Sequence, residues 1–600
     1  MVLWRLAGAV LALVAVPSGA RAMGPYEWRA DQLAAEIAAR QGNADAVAPL
    51  AALARLEEDL PPGRLADILR TMVTARAHPL VAAQAAYQLS LDEDRRGQDD
   101  QARVRRRALG LWQDFWVVGP FDAQGRSGLD RVYPPERGTP DPRRSERFAG
   151  KEREVGWRRV PALATAEGAL VLDALLRPES DAVAYVLAVV NSQAARSAVV
   201  RVGSAGPVKI WLNGAKILDR NVVRPATLDQ NAAAVSLRAG ENWMLVKTVV
   251  TAGAWRLFLR FTDGVGHPLA GLTPVADPRG PAPRLVPGEG RARATFVDLA
   301  QILRRRAESA PASEAAGRWL DQARFLTLVA PDDAEAKPVE RALRAACAAP
   351  ASSAAVIEAL LLLGEVAREE DDRRAALERA AAAGDRCLAL HALGTLARRR
   401  RHEAAALGYW RQAVEGDAEC WPAQLTLAYE EQGAGLPVTA LARLDALPAA
   451  VKTTARVART RIRMLEAVGR RGEAETELAT LLRAGPGDPD LLQDLAAAAR
   501  SRGDLRRAAE LYTDAAARRP EIVFLTMEAA RAREGLGDLP AARALLAEAA
   551  DRLPDEPRLF EELGRLLARA DRVPDALVAL ERSLLLRPQN PTLRHYRERL

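Results

Sequence analysis

The sequence predicts a multidomain α and β chain: a helical N-terminal segment, an antiparallel β-sandwich and a C-terminal all-α solenoid. Three observations carry this reading. Ala406, Ala440, Ala474, Ala508, Ala542 and Ala576 recur every 34 residues, and a fixed period of that size marks stacked two-helix repeats. Between residues 112 and 273 the alanine-rich grammar gives way to short alternating runs and tight-turn dipeptides, which read as strands. The chain opens with a basic start, an apolar run of 11 residues from Leu6 to Val16 and the ending Ala20-Arg21-Ala22, the three-part order of an export signal.

That apolar run is too short to span a bilayer, which needs about 20 residues. Residues 1–22 are therefore expected to be a signal peptide. No cysteine follows the cleavage site, and no later stretch is long and apolar enough to form a transmembrane segment. The expected location is periplasmic or secreted. The net charge of +7 comes with six lysines against 79 arginines. The arginines are interleaved with acids, as solvated helix faces require, and the bias fits a GC-rich coding sequence. No nucleic-acid partner is expected. Cys347, Cys387 and Cys420 all fall in helical sequence. Corresponding positions of stacked helices lie about 10 Å apart, beyond the reach of a disulfide, so all three are expected as small buried residues.

Residues 23–111 read as helices over Tyr26–Arg40, Ala44–Leu56, Arg64–Ala77, Leu80–Leu91 and Gln101–Leu111, each with apolar residues at helical spacing. Pro61-Pro62-Gly63 and His78-Pro79 punctuate them. Strand signals begin at Phe115–Phe121 and continue through Val155–Val160, Ala169–Leu176, Ala182–Asn191, Ser197–Gly203 and Val208–Leu212. Asn213-Gly214 is a strong hairpin signal, because a type I′ turn needs positive φ at both central residues. Val235–Leu237, Trp243–Val250 and Trp255–Phe261 complete about nine strands, a sandwich by their number and spacing.

Val208-Lys209-Ile210-Trp211-Leu212-Asn213-Gly214 and Leu237-Arg238-Ala239-Gly240-Glu241-Asn242 resemble the hairpin and turn of the galactose-binding-like jelly roll. The resemblance implies a jelly-roll-like accessory domain over residues 112–273. The motif residues build turns rather than a pocket, so they say little about sugar. Trp116–Phe121 with Tyr133-Pro134-Pro135-Glu136 is similar to large exported bacterial proteins that join this sandwich to helical repeats and then to a transglutaminase-like domain. In those, a cysteine-histidine-aspartate centre lies downstream of the repeats, and this chain reads as their front part or a non-catalytic member.

Pro- and Gly-rich residues 274–294 are expected as a linker. Residues 295–386 should form helical hairpins, including a shortened repeat with Gly364 and Ala376 at the spacing of the later units. Six full units then occupy residues 387–590, with a C-terminal helix over 591–600. Each alanine is followed four residues on by Trp410, Leu444, Leu478, Tyr512, Leu546 or Leu580, and Pro486, Pro520, Pro554 and Pro588 close the last four units. This pattern resembles the tetratricopeptide (TPR) family.

The TPR resemblance implies a concave groove lined by positions two, five, nine and twelve of each repeat's first helix. By register the candidate peptide-binding residues are Tyr429, Gln432, Arg456, Arg459, Arg463, Gln493, Arg500, Arg531 and Arg565, with His391, Arg398, Leu425, Glu466, Phe524 and Arg558 at neighbouring groove positions. Arginines so placed favour a partner bearing carboxylates, while the asparagines of the TPR clamp for C-terminal carboxylates are missing. Cys387 and His391, four apart on one helix, are the one arrangement with catalytic or metal-binding spacing, and no third group joins them. No H-E-x-x-H, Walker A or G-x-S-x-G motif occurs. The function expected is therefore an exported, non-catalytic scaffold binding a protein or peptide, with no catalytic residue, metal or cofactor. The alternative is an auxiliary component of a cell-envelope hydrolase or transglutaminase-like system, with the sandwich recognising glycan.

Overall fold

The computed structural model describes residues 24–600 except 41, 75, 166, 291–294, 330–335 and 350–352. The expected signal peptide thus lies outside the described residues. The N-terminal segment forms α1 (Pro25–Ala39), α2 (Val47–Ala54), α3 (Arg64–Arg70), α4 (Pro79–Arg95) and α5 (Asp99–Ala108). His78-Pro79 starts α4: the His78 ring accepts the Leu80 N–H at 3.2 Å, and proline suits the first helical turn because its missing N–H has no partner there.

The strand region contains β1 (Trp116–Asp122), α6 (Pro134–Arg137), β2 (Arg147–Ala149), β3 (Glu154–Gly156), β4 (Arg158–Arg159), β5 (Leu170–Val171), α7 (Leu172–Leu175), β6 (Ala182–Ser192) and β7 (Arg196–Ser204). It continues with β8 (Val208–Leu212), β9 (Ala215–Arg220), β10 (Asn231–Leu237), β11 (Gly240–Val250), β12 (Arg256–Thr262), β13 (Leu272–Pro274) and β14 (Val286–Glu289). One sheet runs β14-β9-β8-β11-β6-β1-β4 with β13 beside β6, and the facing sheet runs β10-β7-β12-β5. All their pairings are antiparallel except β14 with β9. Alternation decides which side chains face inward. Val208, Ile210 and Leu212 of β8 join Trp255, Leu257, Leu259 and Phe261 in the core between the sheets. Trp211 of β8 points to the opposite face, where Phe121, Tyr133, Tyr185 and Trp243 form a second core.

Three local expectations are corrected. The stretch expected as a linker supplies β14 and the last residue of β13 to the large sheet, and Val275, Ala282 and Leu285 pack on the second core. The proline and glycine content set a turn-rich path, but the interspersed apolar residues keep that path on the sheet. The strand expected over 169–176 is two residues of β5 followed by α7, and that over 155–160 is split between β3 and β4.

Helices resume as α8 (Leu299–Glu308), α9 (Ala315–Val329), α10 (Ala336–Ala346), α11 (Ala354–Val366) and α12 (Glu370–Ala383). The six 34-residue units are the pairs α13 (Arg386–Arg399) with α14 (Glu403–Gly416), and α15 (Trp421–Gly433) with α16 (Pro437–Asp445). After the short α17 (Ala449–Lys452) come α18 (Ala455–Ala467) with α19 (Arg471–Ala484), then α20 (Pro489–Ser501) with α21 (Leu505–Arg518). The last are α22 (Val523–Gly535) with α23 (Leu539–Arg552) and α24 (Pro557–Arg569) with α25 (Val573–Leu586), followed by α26 (Pro591–Glu598). All six periodic alanines are buried. Gly564 shows why its position stays small: a Cβ there would lie 2.7 Å from the Leu580 side chain, closer than two carbons can pack.

The chain divides into two compact units that interleave in sequence. The first gathers residues up to Glu36, Arg55–Leu65 and Pro350–Glu477, and the second Ile37–Ala54, Ala66–Ala349 and Leu478–Leu600. Within the second unit the loops between repeats dock near the sheets. Asp555 pairs with Arg158 at 2.7 Å and Arg153 at 3.1 Å, and Arg519 pairs with Glu167 at 3.3 Å. The core between the sheets continues into Val523, Leu546, Leu553 and Leu559 of the last repeats. The ion pairs of Arg519 and Asp555 lie at the loop edge of the repeats.

Candidate functional site

The first helix of each pair presents its groove positions because the second helix packs against the opposite side, across the small residues at positions eight and twenty. In the first unit this brings Tyr429 and Arg463 together. The Tyr429 hydroxyl lies 2.7 Å from Thr460 Oγ1, Arg463 Nη2 donates to it at 2.6 Å, and the guanidinium stands 5.2 Å from the ring centre. Gln432 and Arg459 are half-buried on α15 and α18, and Leu425 is buried. Arg398 pairs with Glu430 at 3.1 Å. His391 is half-buried with Nε2 2.9 Å from Thr426 Oγ1. Burial, with a smaller contribution from the Arg456 charge, pushes its imidazole down to about 4.

Arg456 is already engaged by the chain itself. It pairs with Asp59 at 3.2 Å and Glu58 at 3.4 Å. Arg29 of α1 reaches Glu358 of α11 at 2.6 Å, and Arg55 reaches Glu365 at 3.3 Å. Matching Gly364 to Gly394 places Glu358 and Glu365 at positions two and nine of the shortened repeat. Tyr26 packs its ring against Trp421 at 5.3 Å. Residues 24–31 and 55–59 thus lie on the groove face of the first unit. Burial pushes the Asp59 carboxyl up to about 6, against the opposing pull of Arg456. Sequence reasoning missed this occupant; the acidic run Glu57-Glu58-Asp59 was its available signal.

In the second unit the groove arginines form an ordered ladder. Arg500 bonds Glu528 through Nη1. Arg531 bonds Glu528 at 2.8 Å and grips Glu562 through Nε at 2.9 Å and Nη2 at 3.2 Å. Arg565 bonds Glu561 at 2.9 Å and stands 5.2 Å from the Tyr596 ring centre. Arg558 holds Glu556 through two bonds, at 2.8 and 3.0 Å. Gln493 is half-buried on α20. The Arg500 and Arg531 side chains are each 47 % exposed, whereas Glu528 and Glu562 beneath them are 4 % and 10 % exposed. Phe524, at position two of α22, is 43 % exposed. The two glutamates are themselves 34 residues apart, at position six, so the repeat register contained the signal that the ladder exists.

Cys387 and Cys420 form a disulfide with Cα atoms 5.4 Å apart, contrary to the expectation of separate thiols. The 10 Å spacing describes helix axes at corresponding positions, whereas Cys420 is the residue preceding α15, where the chain enters the helix close to the start of α13. The bond removes Cys387 from any couple with His391. Cys347 is buried. Among the described residues no group of three His, Cys, Asp or Glu side chains could hold a metal ion.

The sandwich motifs are joined to one another. The turn has φ of 49° at Asn213 and 89° at Gly214. Asn213 Nδ2 donates to Asn242 Oδ1 at 2.9 Å, and its Oδ1 accepts from the Trp243 N–H at 3.0 Å. Asn242 closes its own turn through bonds to the Arg238 and Gly240 carbonyls. Tyr133-Pro134-Pro135-Glu136 is likewise structural: Glu136 accepts from the buried Lys247 Nζ at 2.7 Å and from the Tyr185 hydroxyl.

No family model matches the chain, and no curated protein matches it. Among solved structures, it is similar to YrrB, described as a TPR protein with an unusual peptide-binding site, at 18 % identity over 32 % of this chain and 98 % of that one, with a TM-score of 0.25. Yeast Tom70 matches at 13 % identity over 51 % of this chain and 65 % of that one, TM-score 0.29. MamA from Desulfovibrio magneticus RS-1 matches at 18 % identity over 28 % and 95 %, TM-score 0.24. The evidence for the repeat fold is the helix pairs themselves, in register with their buried alanines.

Proposed function

We propose that the protein is an exported, non-catalytic scaffold that binds a protein or peptide partner on the groove face of repeats four to six. The observation that carries this is the half-exposed Arg500 and Arg531, held over buried glutamates, with the exposed Phe524 on the helix that carries Arg531. Large aromatic and arginine side chains fixed in this way are the residue types that dominate binding at interfaces. In the first unit Arg456 of the equivalent face is engaged by the chain's own Glu58 and Asp59, so it is assigned to internal packing rather than to the partner.

The Cys387–Cys420 disulfide supports export, since such bonds persist in oxidising compartments. The pattern of residues 1–22 supports the same reading. The glycan alternative draws no support from Asn213 and Asn242, whose amides are engaged with each other and with the backbone.

Chemical crosslinking in the producing cells, followed by recovery of the full chain, tests the proposal. Phe524→Asp changes an exposed side chain and is expected to remove the recovered partner. A partner that survives this change but is lost when the loops around Asn213 and Gly240 are altered would contradict it.

A further inference from the structure

The groove of repeats four to six is layered by charge. Its glutamates lie underneath and its guanidiniums on top, so an approaching ligand meets the positive ends although the pairs are neutral in sum. Arg531 uses Nε and both terminal nitrogens on Glu528 and Glu562. Arg500 differs, because among the described residues it bonds a carboxylate only through Nη1. Its remaining Nε–Nη2 edge has the fork geometry that matches a carboxylate, and its contact with Glu528 reduces the freedom lost on binding. Phe524 precedes Arg531 by two helical turns, about 10 Å along α22, and adds an exposed aromatic face.

The first unit shows what such a face accepts. There Arg456, at position two of its helix, takes the carboxylates of Glu58 and Asp59. The next residue, Leu60, is buried. The chain thus places a short turn of acids followed by an apolar residue against a groove arginine.

Resting on the scaffold reading above, we infer that the partner segment bound by repeats four to six carries side-chain carboxylates next to an apolar residue. Arg500 receives a carboxylate on its open edge, and the apolar residue packs on Phe524.

The test uses the full chain and two labelled peptides, one containing Glu-Glu-Asp-Leu and the other Gln-Gln-Asn-Leu, read by fluorescence anisotropy. The acidic peptide is expected to bind at least about tenfold tighter, and raised salt should weaken it. Arg500→Gln should abolish most of this preference while leaving the melting temperature in place, because Glu528 keeps its bond to Arg531. Phe524→Ser should weaken the acidic peptide without erasing its lead over the neutral one. Equal binding of the two peptides, binding of neither, or an unchanged preference in Arg500→Gln would overturn the inference. So would equally tight binding of a single-stranded oligonucleotide of matched charge. A crosslinked partner lost in Phe524→Asp, together with indifference to acidic peptides, would leave the scaffold reading standing and remove only this one.

Discussion

At the scale of single residues, Cys387 and Cys420 illustrate what a repeat register contains and what it leaves out. Spacing put them almost one period apart, but the closeness of their Cα atoms depends on how the chain enters α15, which periodicity does not describe. Their bond spans 33 residues. On the loop-entropy account a crosslink of that length stabilises by about 3–4 kcal/mol. Reducing agent, or serine at both positions, should therefore lower stability toward denaturant by that amount, and an identical curve with and without reductant would show that the bond does not form. Asp59 gives a pH dependence of defined sign. Its carboxyl is raised to about 6 in the folded chain, so the folded state holds a proton that the unfolded state releases near the ordinary carboxylate value. Stability from this group is highest near pH 4 and falls as pH rises toward 6. Relative to Asp59→Asn, the unaltered protein should gain stability as pH is lowered from 7 to 4; parallel profiles would exclude this assignment.

At the scale of elements, the paired helices were legible because one small residue per unit must sit where two helices cross. Ala542 is buried at such a crossing, whereas Ala544, one turn-face away on α23, is exposed. Ala542→Leu should cost about 1–3 kcal/mol by overpacking, and Ala544→Leu should stay within about 0.5 kcal/mol. Comparable melting of the two variants would mean the crossing is elsewhere. The sheets were legible for a different reason: alternation in Val208–Leu212 and Trp255–Phe261 assigns faces directly. The linker expected over 274–294 failed because proline and glycine content reports where regular hydrogen bonding stops, not whether a segment leaves the surface. Val275, Ala282 and Leu285 hold that segment on the sheet.

At the scale of the molecule, the groove positions were readable from register, but their availability was not. Arg456 and Arg500 occupy equivalent helices and look alike in sequence. One faces Glu58 and Asp59, more than 390 residues earlier in the chain, and the other faces Glu528 in the next repeat. Long-range pairing of this kind follows from the path of the N-terminal segment, for which the period carries no information. The proposed function therefore gives the two units different roles: Arg456 at the N-terminal end pairs with the chain's own segment, and repeats four to six are proposed to offer the binding face.

The measurement that tests this division most directly places a photoreactive amino acid at position 456 in one protein and at position 524 in another. Adducts are then read by mass spectrometry after irradiation in the producing cells. From 456 the account predicts internal adducts to residues 57–60, and from 524 adducts to a second protein. Partner adducts from 456, with only internal ones or none from 524, would contradict it.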